Sequence, residues 1–465
     1  MQAKRFALIG LISLVCLSAC NAGERLNSIN PFRGEETDEE LNHAEGTERI
    51  PVLALQESLT ANLQAAPVEL PRAYVNRAWP QADGYPTHAM QHTQASGSLS
   101  ELWRVSIGDG SSRDQRLNMR PLIAEGDVFT LDAAGRLTSR SLETGDQNWV
   151  RRLSVENEAS RGSWIPFRGG GDEVLTFGGG LAYDNGRLYV HIGDNRFHAL
   201  DAANGSTLWE TETFTPFHAA PTVTDGRIFV STDDNELVAL DGEDGTLLWS
   251  YRAIAETARL MTAPSPAVLG DVVIAPFSSG EVVALRVQNG AVIWSDSLTR
   301  AGGLTPLSTI NDIAASPVIL GDRVYAVSHS GIMAAFDMRT GERVWTLPAS
   351  ALHAPSIAGD YLFVATTDGQ VAAIERHNGE VRWISQLRNF RDMERRRNRI
   401  SWAGPILAGG RLILGSSEGE MVILDPTNGE RIAERDLGQP VFIAPVLAEE
   451  TVVFLTDEGR LVALR

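Results

Sequence analysis

The residues with the most regular spacing in this chain are an Asp, a Gly and a Trp. In "LVALDGEDGTLLW" they stand at Asp241, Gly245 and Trp249. A carboxylate fixed at a turn could be catalytic, but this spacing recurs along the chain. It appears at Gly145/Trp149, Gly205/Trp209, Gly290/Trp294, Gly341/Trp345 and Gly379/Trp383, and Gly429 continues it with Ala433 in place of the Trp. The acid four residues before the Gly is kept at Asp201, Asp241, Asp337 and Asp425 but replaced by Ser141, Arg286 and Glu375. A catalytic acid is needed at one position, not at most of them with exceptions. The pattern instead predicts a turn in which the Asp caps backbone N–H groups and the Gly supplies positive φ. The Trp that follows is expected to wedge between neighbouring sheets.

Other candidates for chemistry are sparse. His88 and His92 are four apart but lie in an irregular stretch near Gly84 and Pro86, so no metal site is predicted there. His218 and His353 precede prolines of the repeat and read as structural. "FRGGGDEVLTFGGG" (167–180) is rich in Gly but lacks the Lys and the helix of a phosphate loop. No Ser–His–Asp order is identifiable, and no catalytic residue, metal site or cofactor is predicted.

The repeat sets the fold. Stepping back 24 residues from each Gly lands on Pro121, Pro221, Pro266, Pro317, Pro355 and Pro405, with Leu181 the exception. A unit such as "APTVTDGRIFVSTDDNELVALDGEDGTLLWS" holds a hairpin signal at Asp225-Gly226 and alternating apolar runs. That makes four antiparallel strands in about 40 to 50 residues, the size of a propeller blade. Pro445 opens an eighth copy that the chain ends 20 residues later. "ELWRVSIG" (101–108) carries Trp103 with no strands before it, so it is expected to supply the missing outer strand. The fold class is therefore all-β, an eight-bladed propeller of four-stranded antiparallel blades over residues 96–465. An N-terminal strand closes it and removes the open edge.

All length variation lies between a Trp and the next Pro, on the face opposite the Gly turns. Three long connections stand out: 150–180 with Trp164, Phe167 and Arg168, 295–316, and 384–404 with "RNFRDMERRRNRISW". Insertions confined to one face of a repeat protein often mark its binding face. The Arg-rich run reads first as a solvated loop, and second as a surface for an acidic protein or a lipid phosphate.

The formal charge of −19 argues against a nucleic-acid partner. Residues 20–95 read as an acidic tether around "GEETDEELNHAEGTE". A short amphipathic helix is expected in "PVLALQESLTANLQAA", with Pro51 in its first turn and Val52, Leu55, Leu59 and Leu63 on one face. That face must dock, either on the propeller or on a second protein.

Lys4 and Arg5 precede the apolar run from Phe6 to Leu17, too short for a stable membrane span. "LSAC" (17–20) resembles a bacterial lipobox. The resemblance implies loss of residues 1–19 and lipidation of Cys20. Asn21 behind the Cys points to the outer membrane, facing the periplasm. Cys16 would leave with the signal, so the mature chain would keep one alkylated Cys, with no disulfide and no thiol chemistry.

The repeat resembles the pyrroloquinoline-quinone-type propeller repeat. Quinoprotein dehydrogenases of that kind hold a quinone and Ca²⁺ on Glu, Asn and Asp, and alcohol-oxidising members add a vicinal Cys pair, which this mature chain cannot form. A lipobox, a tether and eight such repeats together resemble the BamB family of lipoproteins. The resemblance covers the lipidation site and residues 101–465, and leaves the long leader unmatched. It implies a non-catalytic role in outer-membrane protein assembly: binding a POTRA domain of BamA, joining other subunits of the complex, and aiding unfolded β-barrel substrates. Family contacts imply Asp312 as the first of two acids, with Ala314 at the second position, and Arg259 and Leu260 in a neighbouring loop, with Met261 at the aligned Arg position. The alternatives are a periplasmic quinoprotein-like dehydrogenase or a scaffold of another envelope complex.

Overall fold

The structure is a computed structural model that describes residues 58–62, 64, 66–113, 115–153, 179–217, 219–254, 264–299 and 312–465. Its eight blades are four-stranded antiparallel sheets, seven with their strands in sequence order from the channel outward and the last with an N-terminal strand outermost. In blade 3 the strands are Thr222–Thr224, Arg227–Ser231, Glu236–Asp241 and Leu247–Arg252. Burial follows position. The second strand is buried along nearly its whole length, whereas the outer strand alternates between solvent and the next blade. Runs such as "RIFVS" and "ELVALD" suit this, because a blade is covered on both faces by its neighbours.

The last blade confirms the closure expected from the repeat count. Val446–Ala448, Thr451–Leu455 and Arg460–Leu464 are completed by Glu101–Ser106, with Trp103 opposite Ala463 and Val105 opposite Leu461. Both chain ends thus share one sheet, and that sheet has no covalent turn before its outer strand. This accounts for the one Trp missing from the series. Each outer-strand Trp seats on the Gly turn of the following blade, and Ala433 belongs to the blade that faces the turnless one.

The boundary expected at residue 96 moves. The compact unit runs from Glu57 to Arg465, and residues 66–99 pack against the propeller. Leu59 is buried with blades 5 and 6, and its neighbour Asn62 donates to the Val381 carbonyl at 2.9 Å. No helix forms over 58–62; Val52, Leu55 and Leu63 lie outside the described residues. Residues 58–62 therefore pack on the chain's own propeller, with their backbone bond made to the outer strand of blade 6. Farther along the leader, the inner strands offer unpaired backbone groups that need partners.

Those groups are met in ring order. Trp79 exchanges two backbone bonds with Ile123 of blade 1 (2.7 and 2.9 Å). The Pro80 carbonyl accepts from Tyr183 of blade 2, and the Gln81 side chain donates to the Val223 carbonyl of blade 3. The Pro86 and Thr87 carbonyls accept from Val268 and Ile319 of blades 4 and 5, and Gln91 accepts from the Gly359 N–H of blade 6. Thr93 bridges Ala408 of blade 7, and Ala95 bridges Glu450 of blade 8. One passage of the leader touches the inner edge of all eight blades. A sequence reading of this stretch as a tether missed it.

Candidate functional site

The Gly-turn motif has the structural role its spacing implied. Asp201, Asp241 and Asp425 each accept through Oδ1 from the N–H two residues on, at 2.7 to 2.8 Å. Asp337 does the same at 3.0 Å. Trp209 Nε1 donates to the Gly242 carbonyl of the next blade at 3.2 Å, and Trp249 repeats this toward Val287 at 2.9 Å. These carboxylates are occupied by their own turns and converge on no common point.

The central channel is the place where side chains from different blades converge. At the Gly-turn end the leader crosses it, and Ala82 and Asp83 form the floor of a cavity of about 130 Å³ that opens toward the other face. Asp83 pairs with Arg120, which also donates to the Ala82 carbonyl at 3.0 Å. Burial alone would raise the Asp83 carboxyl. The Arg120 and His88 charges, with hydrogen bonds from Ser316 and Arg120, outweigh it and hold the carboxyl below its usual range. His88 donates from Nδ1 to the Pro317 carbonyl at 2.7 Å, and burial holds its pKa down. His353, at the cavity wall, is pushed down to about 3 by burial, with Arg120 acting in the same direction.

This cluster fits a quinone and cation poorly. Its one carboxylate is already neutralised by Arg120, and the cavity is well below the roughly 300–1,000 Å³ of ordinary cofactor pockets. Among the described residues no three of His, Cys, Asp and Glu come together as a metal-holding group. His92, the other half of the spaced pair, donates from Nδ1 to the Pro71 carbonyl within the leader and accepts at Nε2 from the Gly410 N–H of blade 7, so both its nitrogens are occupied by structural bonds. Sequence reasoning missed Trp79, Asp83 and Arg120. The available signal was composition: "YVNRAWPQADGYPTHAMQH" is richer in aromatics than a solvated tether.

Of the residues expected to meet a partner, only Asp312 is described. It is 4% exposed and lines a small cavity with Ser231, Asn235 and Ser278, while its carbonyl accepts from the His329 N–H at 2.9 Å. Cys20, Arg259 and Leu260 lie outside the described residues, as do His218 and the Trp164–Arg168 stretch. The Arg-rich run is not an irregular loop. It forms a hairpin, Phe390–Asp392 paired with Arg397–Arg399, between blades 6 and 7.

A closed eight-bladed ring whose turns carry its repeat motif, and whose channel is crossed by its own leader, defines a propeller scaffold of the pyrroloquinoline-quinone-repeat class. Within that class, residues 156–385 and 390–465 match the family described as outer membrane protein assembly factor BamB, and the chain belongs to it. The assembly factor of Salmonella typhimurium is 26% identical over 364 residues, spanning 78% of this chain and 88% of that protein. The crystal structure of BamB from Moraxella catarrhalis superposes with a TM-score of 0.65 at 18% identity, covering 79% of this chain and 99% of the other. Quinohemoprotein alcohol dehydrogenase from Comamonas testosteroni shares the fold, with a TM-score of 0.63 at 12% identity over 84% of this chain and 81% of its own.

Proposed function

We propose that this chain is a non-catalytic scaffold of the outer membrane protein assembly complex, lipidated at Cys20 and facing the periplasm, which binds a POTRA domain of BamA and aids insertion of β-barrel proteins. The observation that carries the reading is the family match across blades 2 to 8. The channel adds to it: the position where a dehydrogenase of this fold would work is floored by Ala82 and Asp83 of the chain's own leader. Partner contact is assigned to the connections between blades 3 and 4, with Arg259 and Leu260, and between blades 4 and 5, with Asp312.

The test is co-purification of BamA from detergent-solubilised envelopes. Arg259→Glu combined with Leu260→Ala is expected to reduce it, since a few anchors dominate small interfaces. Asp312 is buried, so Asp312→Asn is the cleaner change there, removing charge without adding bulk. Asp244→Arg on the Gly-turn face should leave binding intact. Loss with the Asp244 variant and retention with the others would place the partner on the opposite face. Thermal melts separate lost binding from lost folding.

A further inference from the structure

Residues 388–399 hold six arginines and two acids in a chain whose net charge is −19. Two of the arginines anchor the hairpin to blade 7: Arg388 reaches Glu420 at 2.6 Å and Arg391 reaches Glu418 at 3.4 Å. Arg395 lies 3.8 Å from Asp392. Among the described residues no carboxylate comes within ion-pair distance of Arg396, Arg397 or Arg399. The Arg396 and Arg399 guanidinium carbons stand 5.6 and 5.9 Å from the centre of the Phe390 ring. One aromatic ring therefore positions two cations without neutralising them. Met393, in the turn between the two strands, is 58% exposed.

Beneath the hairpin is a cavity of about 190 Å³ lined by His329, Thr366, Thr367, Arg399, Ser401 and Trp402. His329 Nδ1 is buried there without a hydrogen-bond partner among the described residues. Burial and the Arg399 charge hold its pKa below the usual value, so the ring is neutral at pH 7 and has one N–H to give. The Arg399 guanidinium and the unpartnered His329 nitrogen at the recess, with Arg396 and Arg397 on the same hairpin, are donors suited to phosphate oxygens.

We propose that this hairpin and the recess at its base bind the phosphodiester headgroups of an anionic lipid surface. A folded acidic protein presents carboxylates at fixed side-chain positions, whereas a headgroup phosphate on a mobile lipid can enter the recess while Met393 enters the interface. Basic residues near such a surface each contribute measurably and independently. The proposal rests on the outer-membrane assignment, and it gives the hairpin the task of orienting the propeller rather than tethering it. The hairpin lies between blades 6 and 7, at a different place in the ring from the blade 3–4 and blade 4–5 connections proposed for the partner.

The experiment is flotation of the full mature chain carrying Cys20→Ser, so that no acyl group contributes, with vesicles of phosphatidylcholine alone or with about one third phosphatidylglycerol. Binding is expected only to the anionic vesicles and should fall with salt. Replacing Arg396, Arg397 and Arg399 together by Gln should weaken it on the order of a hundredfold, and His329→Leu should weaken it severalfold. Arg431→Gln, an exposed cation on the outer strand of blade 7, should change little. Unaltered melting of the variants shows that they fold. Equal binding to neutral vesicles, or undiminished binding by the triple variant, overturns the proposal. Capture by polyglutamate without binding to anionic vesicles also overturns it and assigns the hairpin to an acidic protein. No assembly partner is present in the assay, so these outcomes leave the scaffold reading untouched.

Discussion

Trp209 of blade 2 lies against Gly245 of blade 3, so close that a β-carbon built on the glycine would stand 2.6 Å from the indole Cζ3. Gly245 also has φ of +76°, and its turn supplies the Gly242 carbonyl that receives the indole N–H. Turn and wedge are one device. The Gly is required by its own backbone and by the Trp of the preceding blade, which is why the two residue types recur together.

Gly245→Ala should therefore cost more than an ordinary glycine replacement. A left-handed backbone for alanine costs about 1 to 2 kcal/mol, and overpacking adds about 1 to 3. Gly270→Ala, at φ +56° with nothing within 4 Å of the added carbon, should show the backbone cost alone. In a Trp209→Ala background the Gly245 penalty should fall toward that of Gly270. Denaturant unfolding of the four proteins forms a double-mutant cycle, and additivity would show that the turn and wedge are independent.

Trp103 closes the ring at the one joint without a covalent turn. It is buried, and its Nε1 donates to the Leu142 carbonyl of blade 1 at 2.9 Å. Trp103→Ala should lower stability by about 3 to 5 kcal/mol, read as a drop in the denaturation midpoint. A broader, less cooperative transition should accompany it, because blade 8 can then open from its edge.

The leader should behave as part of the propeller core. Trp79 is 4% exposed and bonds Ile123 through both backbone groups. Amide exchange at Trp79 and Thr93 should be as slow as in the inner strands, and Trp79→Ala should cost about 3 to 5 kcal/mol. Rapid exchange across 79–95 would show that the leader does not hold the eight blades together.

Acid should destabilise the protein through the channel histidines. His353 titrates near 3 when folded and about 6.5 when unfolded. The unfolded chain therefore binds the extra proton between those values, and stability is lost as pH falls below about 6.5. The full shift corresponds to about 2 kcal/mol at pH 5, and solvent screening of the partly exposed ring reduces this to about 1. His88 is shifted in the same direction. His353→Leu should flatten the fall in stability between pH 7 and pH 5, measured by denaturant unfolding. A steeper fall in the variant would mean that the imidazole is charged in the folded state.

The sequence by itself determined the repeat: the strand count, the turn chemistry, the closing strand at Glu101–Ser106 and the non-catalytic role of the Asp–Gly–Trp spacing. Each of these is written in local periodicity that seven Gly turns restate, whereas the reason for Ala433 emerges only from the seating of each Trp on the next blade's turn. Only the tertiary structure decided what the unrepeated residues do. Asp83 and Arg120 are far apart in sequence and meet because the leader crosses the channel beside blade 1. The path of residues 74–95 is dictated by unpaired inner-strand backbone groups arranged in a ring, and that arrangement exists only once the blades have closed. Asp312 shows the same division: its type and spacing are legible in the sequence, while its burial among Ser231, Asn235 and Ser278 comes from the packing of neighbouring blades.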